Sequence, residues 1–416
     1  MRAFLRNEWD QFAALPRNAK LMLGTSTIAG FAMPVIGIFV YAFIIRSTHD
    51  VNRVMAFQIA LYSGIPVAFL INRFLVVGRV TFAHLYALGI VLCAVVLAAM
   101  TRQQELTWGR IVGMGFLMGL ASGFHWANRN YLSLVCTEDR TRNYYFGVEN
   151  FFCCVSSVVV PAVAGSFIAW RCGANHVPAA VQSAYEWVAG AAFVLVLGGA
   201  SFLMQGTFPS ERPALRVRAT FKPVWRKLLV LAALKGTVQI FLMTAPAVLI
   251  MRVLGGQERE LGIVQSAGSI LAAVLMYLIG RTTRPEHRVS VLAVALIVYG
   301  VGSMANAVLY DRFSVLLFMM CQLIAQPMLD LAYGPLLLSV LDTVAGDGKE
   351  SQYAYLVSHE IGLFAGRLIG AVVFILAACS YTGDEAFRYV LALLSLLHLL
   401  SWPVAASIRR DLGWVA

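Results

Sequence analysis

VSVLAVALIVYGVGSMANAVL, residues 289–309, decides the fold. From Val289 to Val301 it is apolar on every face of a helix, so neither a half-buried surface helix nor a strand alternating polar and apolar residues accounts for it. Roughly 20 apolar residues in a helix cross the hydrocarbon core of a bilayer. Working outward, comparable stretches recur at 20–45, 51–72, 80–100, 109–134, 144–170, 184–205, 226–252, 261–279, 313–342, 351–378 and 386–407. With 60% hydrophobic and 13% charged residues over 416 positions, the chain is read as an all-α, polytopic membrane protein of twelve transmembrane helices.

The remaining sequence divides those spans. Residues 1–19 alternate charges around Trp9 and lack the apolar core of a cleaved signal. Phe4, Leu5, Trp9 and Phe12 suggest a short amphipathic helix lying in the interface. GTFPSERPALRVRATFKPVW, residues 206–225, reads as a linker between six-helix halves at 20–205 and 226–407, and residues 408–416 form a short tail. The halves echo each other: NYYFGVENFF at 143–152 and YAYLVSHEIGLF at 353–364 each follow a polar loop and carry an acid, Glu149 or Glu360, into the next span.

Of the 32 Lys and Arg, twenty flank the spans on the side of the termini, nine lie on the other side and three lie inside spans. Positive residues stay cytoplasmic, so both termini are placed inside. The net charge of +11 is therefore a topology signal and a means of touching anionic lipid, not a nucleic-acid footprint. Cys153 and Cys154 have no CxxC partner, and Cys172 and Cys379, both on the outer side, could form a disulfide if their geometry allowed it. No HExxH, GxSxG or Walker sequence occurs, so neither a metal, a cofactor nor an enzymatic activity is expected.

Twelve spans in two halves, with termini inside and a basic central loop, resemble the major facilitator superfamily of secondary transporters across essentially the whole chain. Three places carry motif support. Ala68, Asn72-Arg73-Phe74 and Gly78-Arg79 are similar to a decayed form of the family's loop pattern after the second span. Leu106-x-x-x-Arg110 with Gly113, Gly115 and Gly119 resembles its arginine-and-glycine motif. Gly147, Ser156, Val160-Pro161 and Ala164-Gly165 keep the spacing of its antiporter motif with several glycines replaced. The resemblance implies that Asn72 removes a charge which relatives use to latch the halves on the cytoplasmic side. It also implies that Val160 and Ala164 fill space where two helices would otherwise approach closely.

Charges inside spans each cost several kcal/mol unless they face a partner or water. The deep ones are Arg129, Glu149, Lys235, Asp330, Glu360 and Arg367, on spans four, five, seven, ten and eleven. The resemblance implies that spans one, four, seven and ten line a central cavity with five and eleven beside it. Arg129 and Glu149 lie at matched depth on adjacent antiparallel spans and are expected to pair. His125 and Trp126 stand near Arg129, and His125 is one turn away from it. Lys235, four residues before Gln239, needs an anion, which Asp330, Glu360 or a solute could supply. Trp126, Gln239 and Tyr333 are placed around the solute. Glu360 is the first candidate for the proton-coupling acid, with Asp330 and Glu149 behind it, unless Glu360 is tied to Arg367 two turns along its own helix.

The function that these residues support is proton-coupled secondary transport of a small organic solute by alternating access. The setting is a bacterial cytoplasmic (inner) membrane, and the protein acts as a monomer touching solute, protons and membrane lipids. The antiporter-like motif favours export. The alternatives are proton-coupled uptake of an anionic metabolite and a transport-inactive sensor on the same scaffold.

Overall fold

The computed structural model describes residues 9, 11–76, 80–103, 105–137, 139–172, 178–208, 222–253, 258–282, 287–345 and 349–413. Among them the chain forms twelve long helical segments and no strand. They are α1 (Arg17–Thr48), α2 (Val51–Leu75), α3 (Phe82–Thr101), α4 (Trp108–Cys136), α5 (Asp139–Cys172), α6 (Pro178–Leu203), α7 (Pro223–Arg252), α8 (Glu258–Thr282), α9 (Arg288–Leu309), α10 (Arg312–Ala345) and α11 (Lys349–Ala378), and α12 (Gly383–Asp411). Ten are long and apolar enough to cross a membrane. The other two, α4 and α8, have the length at 29 and 25 residues. Their described residues are more polar: α4 carries Arg110, Asn128, Arg129 and Asn130, and α8 opens on Glu258, Arg259 and Glu260.

Local sequence sets where helices start, stop and bend. Asp50 caps α2, accepting from the Asn52 backbone N–H at 2.9 Å, and Thr382 with Glu385 forms a capping box for α12. In the turn before α10, Asp311 accepts from the Ser314 backbone N–H at 2.8 Å, a bond that holds its carboxyl below the usual carboxylate range. His49 and Tyr310 end α1 and α9 in the left-handed region, at φ 52° and 48°. In α1, Gly30 and Pro34 interrupt the helix, and Val35–Phe39 is a π-turn before the helix resumes. Helix α12 breaks between His398 and Ser401.

The helices ends are longer than the apolar runs, because polar first and last turns remain helical outside lipid. Residues 17–19 belong to α1, 223–225 to α7, and Ile408–Asp411 continue α12 instead of forming a tail. Trp9 and 11–14 are helical and Trp9 is exposed, but the rest of the expected amphipathic segment at 1–8, most of the linker at 209–221, and Gly78 and Arg79 lie outside the described residues. Cys172 is buried and Cys379 exposed, and both are free, so the conceivable disulfide is absent.

Helices contact one another both within and between the stretches on either side of residues 206–225, called here the two halves. In the first, α4 packs against α2 and α3, and α6 against α1 and α3; in the second, α7 packs on α11, and α10 on α9 and α8. The α2–α4 seam depends on small residues: a Cβ on Gly115 would lie 2.6 Å from the Phe57 carbonyl oxygen, and one on Gly119 would collide with that of Leu61. The halves meet chiefly through α5 with α8 and α2 with α11, with smaller contacts between α1 and α7. The α5–α8 approach is close despite Val160 and Ala164. Backbone meets backbone at Gly165 against Glu258 and at Gly262 against Pro161, so the motif's Gly165 and Gly262 of α8 keep open the seam that the replacements were expected to fill.

Candidate functional site

All twelve helices begin or end at one of two faces. The end carrying Arg17, Pro223 and Asp411 is called here the terminal end, and the opposite end the far end. By helical rise Arg129 is about 10 Å from the terminal end of α4, Lys235 about 18 Å from that of α7 and Arg367 about 16 Å from the far end of α11. Lys235 and Arg367 therefore lie near mid-depth and Arg129 nearer the terminal end, and each of the deep charges has a partner of opposite sign.

In the first half, Arg129 grips Glu149 with both nitrogens, Nε to Oε1 at 3.1 Å and Nη2 to Oε2 at 2.6 Å, as matched depth predicted. This bidentate geometry is the strong form of a charged hydrogen bond. The Arg129 guanidinium also lies 5.3 Å from the ring of half-exposed Trp126. His125 does not join them at an open surface. It is buried, its ring 5.3 Å from that of Tyr86 on α3, with Nδ1 lacking a hydrogen-bond partner among the described residues. One turn along α4 places it toward the α3 seam, where Gly89 approaches the His125 backbone.

Asn72 is also buried, and it exchanges two hydrogen bonds with Asn128 of α4, at 3.0 and 2.7 Å. A neutral amide pair thus occupies the place where the family resemblance implied a lost charge, joining α2 to α4 inside one half. Arg110 stays in the first turn of α4 at the far end, donating to the Glu105 carbonyl at 2.9 Å, and reaches no deep residue. Gly147 has open space beside it, and Arg73 lies in the last turn of α2.

In the second half, the Lys235 Nζ sits 3.1 Å from Asp330 Oδ1 and 4.3 Å from the centre of the Tyr333 ring. Gln326 donates to the other Asp330 oxygen at 2.9 Å, one turn back along α10. This pair is open: the side chains are 20% and 47% exposed. Tyr333 Oη and His359 Nε2 are 2.6 Å apart, tying α10 to α11. Glu360 is bound by Arg367 Nη1 at 2.5 Å along α11, and both are largely buried. Arg367 Nε donates to Gln239 Oε1 at 3.0 Å, so Gln239 faces α11 and not an open surface.

Across the halves, Tyr62 of α2 places its ring 4.3 Å from the Arg367 guanidinium and donates its hydroxyl to the Gln239 carbonyl at 3.1 Å. Nearby, Tyr41 of α1 donates to Gln58 of α2. At the far end, Arg46 of α1 clasps Glu258 of α8. Sequence reading missed Tyr62, Arg46 and Glu258. Tyrosines are ordinary in spans, and charges at span ends are unremarkable until the fold brings two of them together.

Solved structures settle the architecture. A POT family transporter in complex with 5-aminolevulinic acid superposes with a TM-score of 0.68 at 11% identity, over 94% of this chain and 97% of that one. A bacterial homologue of the human lysosomal transporter Spinster, inward-facing and occupied, gives 0.63 at 12% identity over 94% and 96%. The major facilitator superfamily transporter FucP, in its outward conformation, gives 0.58 at 13% over 93% and 98%. The chain has the major facilitator fold. In sequence, the chain is 23% identical over 335 residues to the uncharacterized protein YqgE of Bacillus subtilis strain 168, covering 77% of this chain and 74% of that protein. No family model matches the chain.

Proposed function

We propose that this facilitator-fold protein is a proton-coupled secondary transporter of a small organic solute, working by alternating access. The observation that carries the reading is the set of three ion pairs inside the spans, Arg129–Glu149, Lys235–Asp330 and Arg367–Glu360. Such pairs are costly in lipid and persist where water, solute or protons use them. In this reading the segments 20–205 and 226–407 rock against each other about the 206–225 linker, as a monomer in a bacterial inner membrane with both termini cytoplasmic.

The solute contacts Trp126, Arg129, Lys235 and Tyr333 first, with Gln239 and His125 as supporting groups behind them. Asp330 becomes the leading proton-coupling acid. Its carboxylate is the most open of the three and is held by an ammonium at a single oxygen, whereas Arg129 holds Glu149 through both oxygens and Arg367 shields Glu360. Glu360 and Glu149 act as coupling acids only if their arginines swing away.

Export is the favoured direction, on the α5 pattern of Gly147, Pro161 and Gly165. Proton-coupled uptake of an anion is the second reading, because Arg129 and Lys235 keep 19% and 20% exposure and an anionic solute could replace their carboxylates.

The test begins with a panel of solutes scored by thermal stabilisation of the purified protein. Proton exchange on binding then separates the readings in weakly buffered solution. Antiport predicts proton release on solute binding, and symport predicts uptake. A stabilising solute that crosses no proteoliposome membrane would favour the sensor instead.

A further inference from the structure

Besides the Tyr62 contacts inside the bundle, the halves meet at the far end. Glu258 is the first residue of α8, only 1% exposed, and Arg46 in the last turn of α1 meets it with Nε at 2.5 Å from Oε1 and Nη2 at 2.8 Å from Oε2. The Tyr185 hydroxyl of α6 donates to Oε1 at 3.0 Å, so the carboxylate of one half is held by two helices of the other. A third helix sets its position: Gly165 of α5 lets the Glu258 backbone approach so closely that any Cβ there would collide with its carbonyl oxygen. Pro161 and Gly262 repeat the approach one turn along the seam. The glycine and proline of the antiporter-like motif therefore seat this one carboxylate. Helix α8 also favours an acid at its first residue, through the partial positive charge of its N-terminus.

We propose that Arg46 and Glu258, braced by Tyr185 and seated by Gly165, form the latch that holds the halves together at the far end, and that its opening admits the far-side medium to the central charges. The proposal rests on the alternating-access reading above. In the latched state Glu258 is sealed among side chains of the opposite half. Rotation of the halves cannot expose the far end while this ion pair bridges α1 and α8. Arg53, by contrast, pairs at 3.6 Å with Asp50, the cap of its own helix, and donates to the Leu106 carbonyl within its own half, so these contacts hold no seam between halves.

The test uses pulsed electron spin resonance distances on the full chain in nanodiscs. Spin labels at Ser47 and Glu260, both exposed, report the far end, and labels at Leu75 and Thr343 report the terminal end, with the exposed cysteines Cys153, Cys154 and Cys379 changed to Ser. Glu258→Gln and Arg46→Gln are each expected to raise the longer far-end distance population severalfold. Tyr185→Phe is expected to do so less and serves if the charge variants fold poorly, and Arg53→Gln is expected to leave the distribution as in the parent. An unchanged far-end distribution in well-folded Glu258→Gln or Tyr185→Phe overturns the latch. Far-end lengthening without shortening at the terminal end upholds the latch and counts against alternating access, so the two ideas fail separately.

Discussion

Asp330 meets Lys235 through one carboxylate oxygen, 3.1 Å from the ammonium, and remains nearly half exposed while its partner lies over Tyr333. A charge held this loosely at mid-depth can exchange its partner for a solute or a proton at modest cost, which a bidentate buried pair cannot. Lys235→Gln should accordingly weaken solute binding or change its preference at least tenfold, measured by solute-dependent thermal stabilisation. Unchanged affinity and preference would reduce the pair to a staple between α7 and α10.

The Arg129–Glu149 pair is of the opposite kind. Removing Arg129 strands a carboxylate that is 7% exposed, and breaking a buried pair in this way costs about 3–5 kcal/mol. Arg129→Ala should sharply lower the unfolding temperature in detergent, and Arg129→Ala with Glu149→Ala should recover part of the loss. A double variant no more stable than the single one would show that Glu149 is satisfied without its arginine.

Asn72 and Asn128 make a prediction against the family pattern. Asn72→Asp would supply the acid that the resemblance finds missing, but here it replaces a donor amide facing Asn128 with a buried charge that has no cation among its hydrogen-bond partners. The variant is expected to lose about 1–3 kcal/mol or more, seen as a lower unfolding temperature, and Asn72→Asp that matches the parent would mean the site is wetter than its burial implies.

The α2–α4 seam offers a steric test. Gly119→Ala drives a methyl group into the Leu61 backbone, for which overpacking costs about 1–3 kcal/mol, whereas Gly113, with nothing within 4 Å, should accept alanine without loss. Equal stability of the two variants would contradict the close approach.

The bundle was legible in the chain because lipid demands long apolar helices, and 289–309 has no other reading. The Arg129–Glu149 pair was legible for a similar reason, since two buried charges at one depth on neighbouring helices have few ways to be satisfied. Side-chain direction was not. His125 and Arg129 are one turn apart, yet His125 packs beneath Tyr86 while Arg129 stays partly open, a difference set by the α3–α4 crossing. Lys235 had three possible anions, and only the placement of α10 selects Asp330. The Arg46–Glu258 contact lies 212 residues apart in sequence and required the meeting of two halves to be seen.

The most direct measurement is proton flux in proteoliposomes that entrap a pH-sensitive dye, started by adding a solute that stabilises the purified protein. The parent is expected to couple solute movement to proton movement of opposite direction. Asp330→Asn is expected to lose the proton signal while still exchanging labelled for unlabelled solute. Solute movement without any proton signal in the parent, or a full proton signal in Asp330→Asn, would contradict a proton-coupled transporter that works through this aspartate.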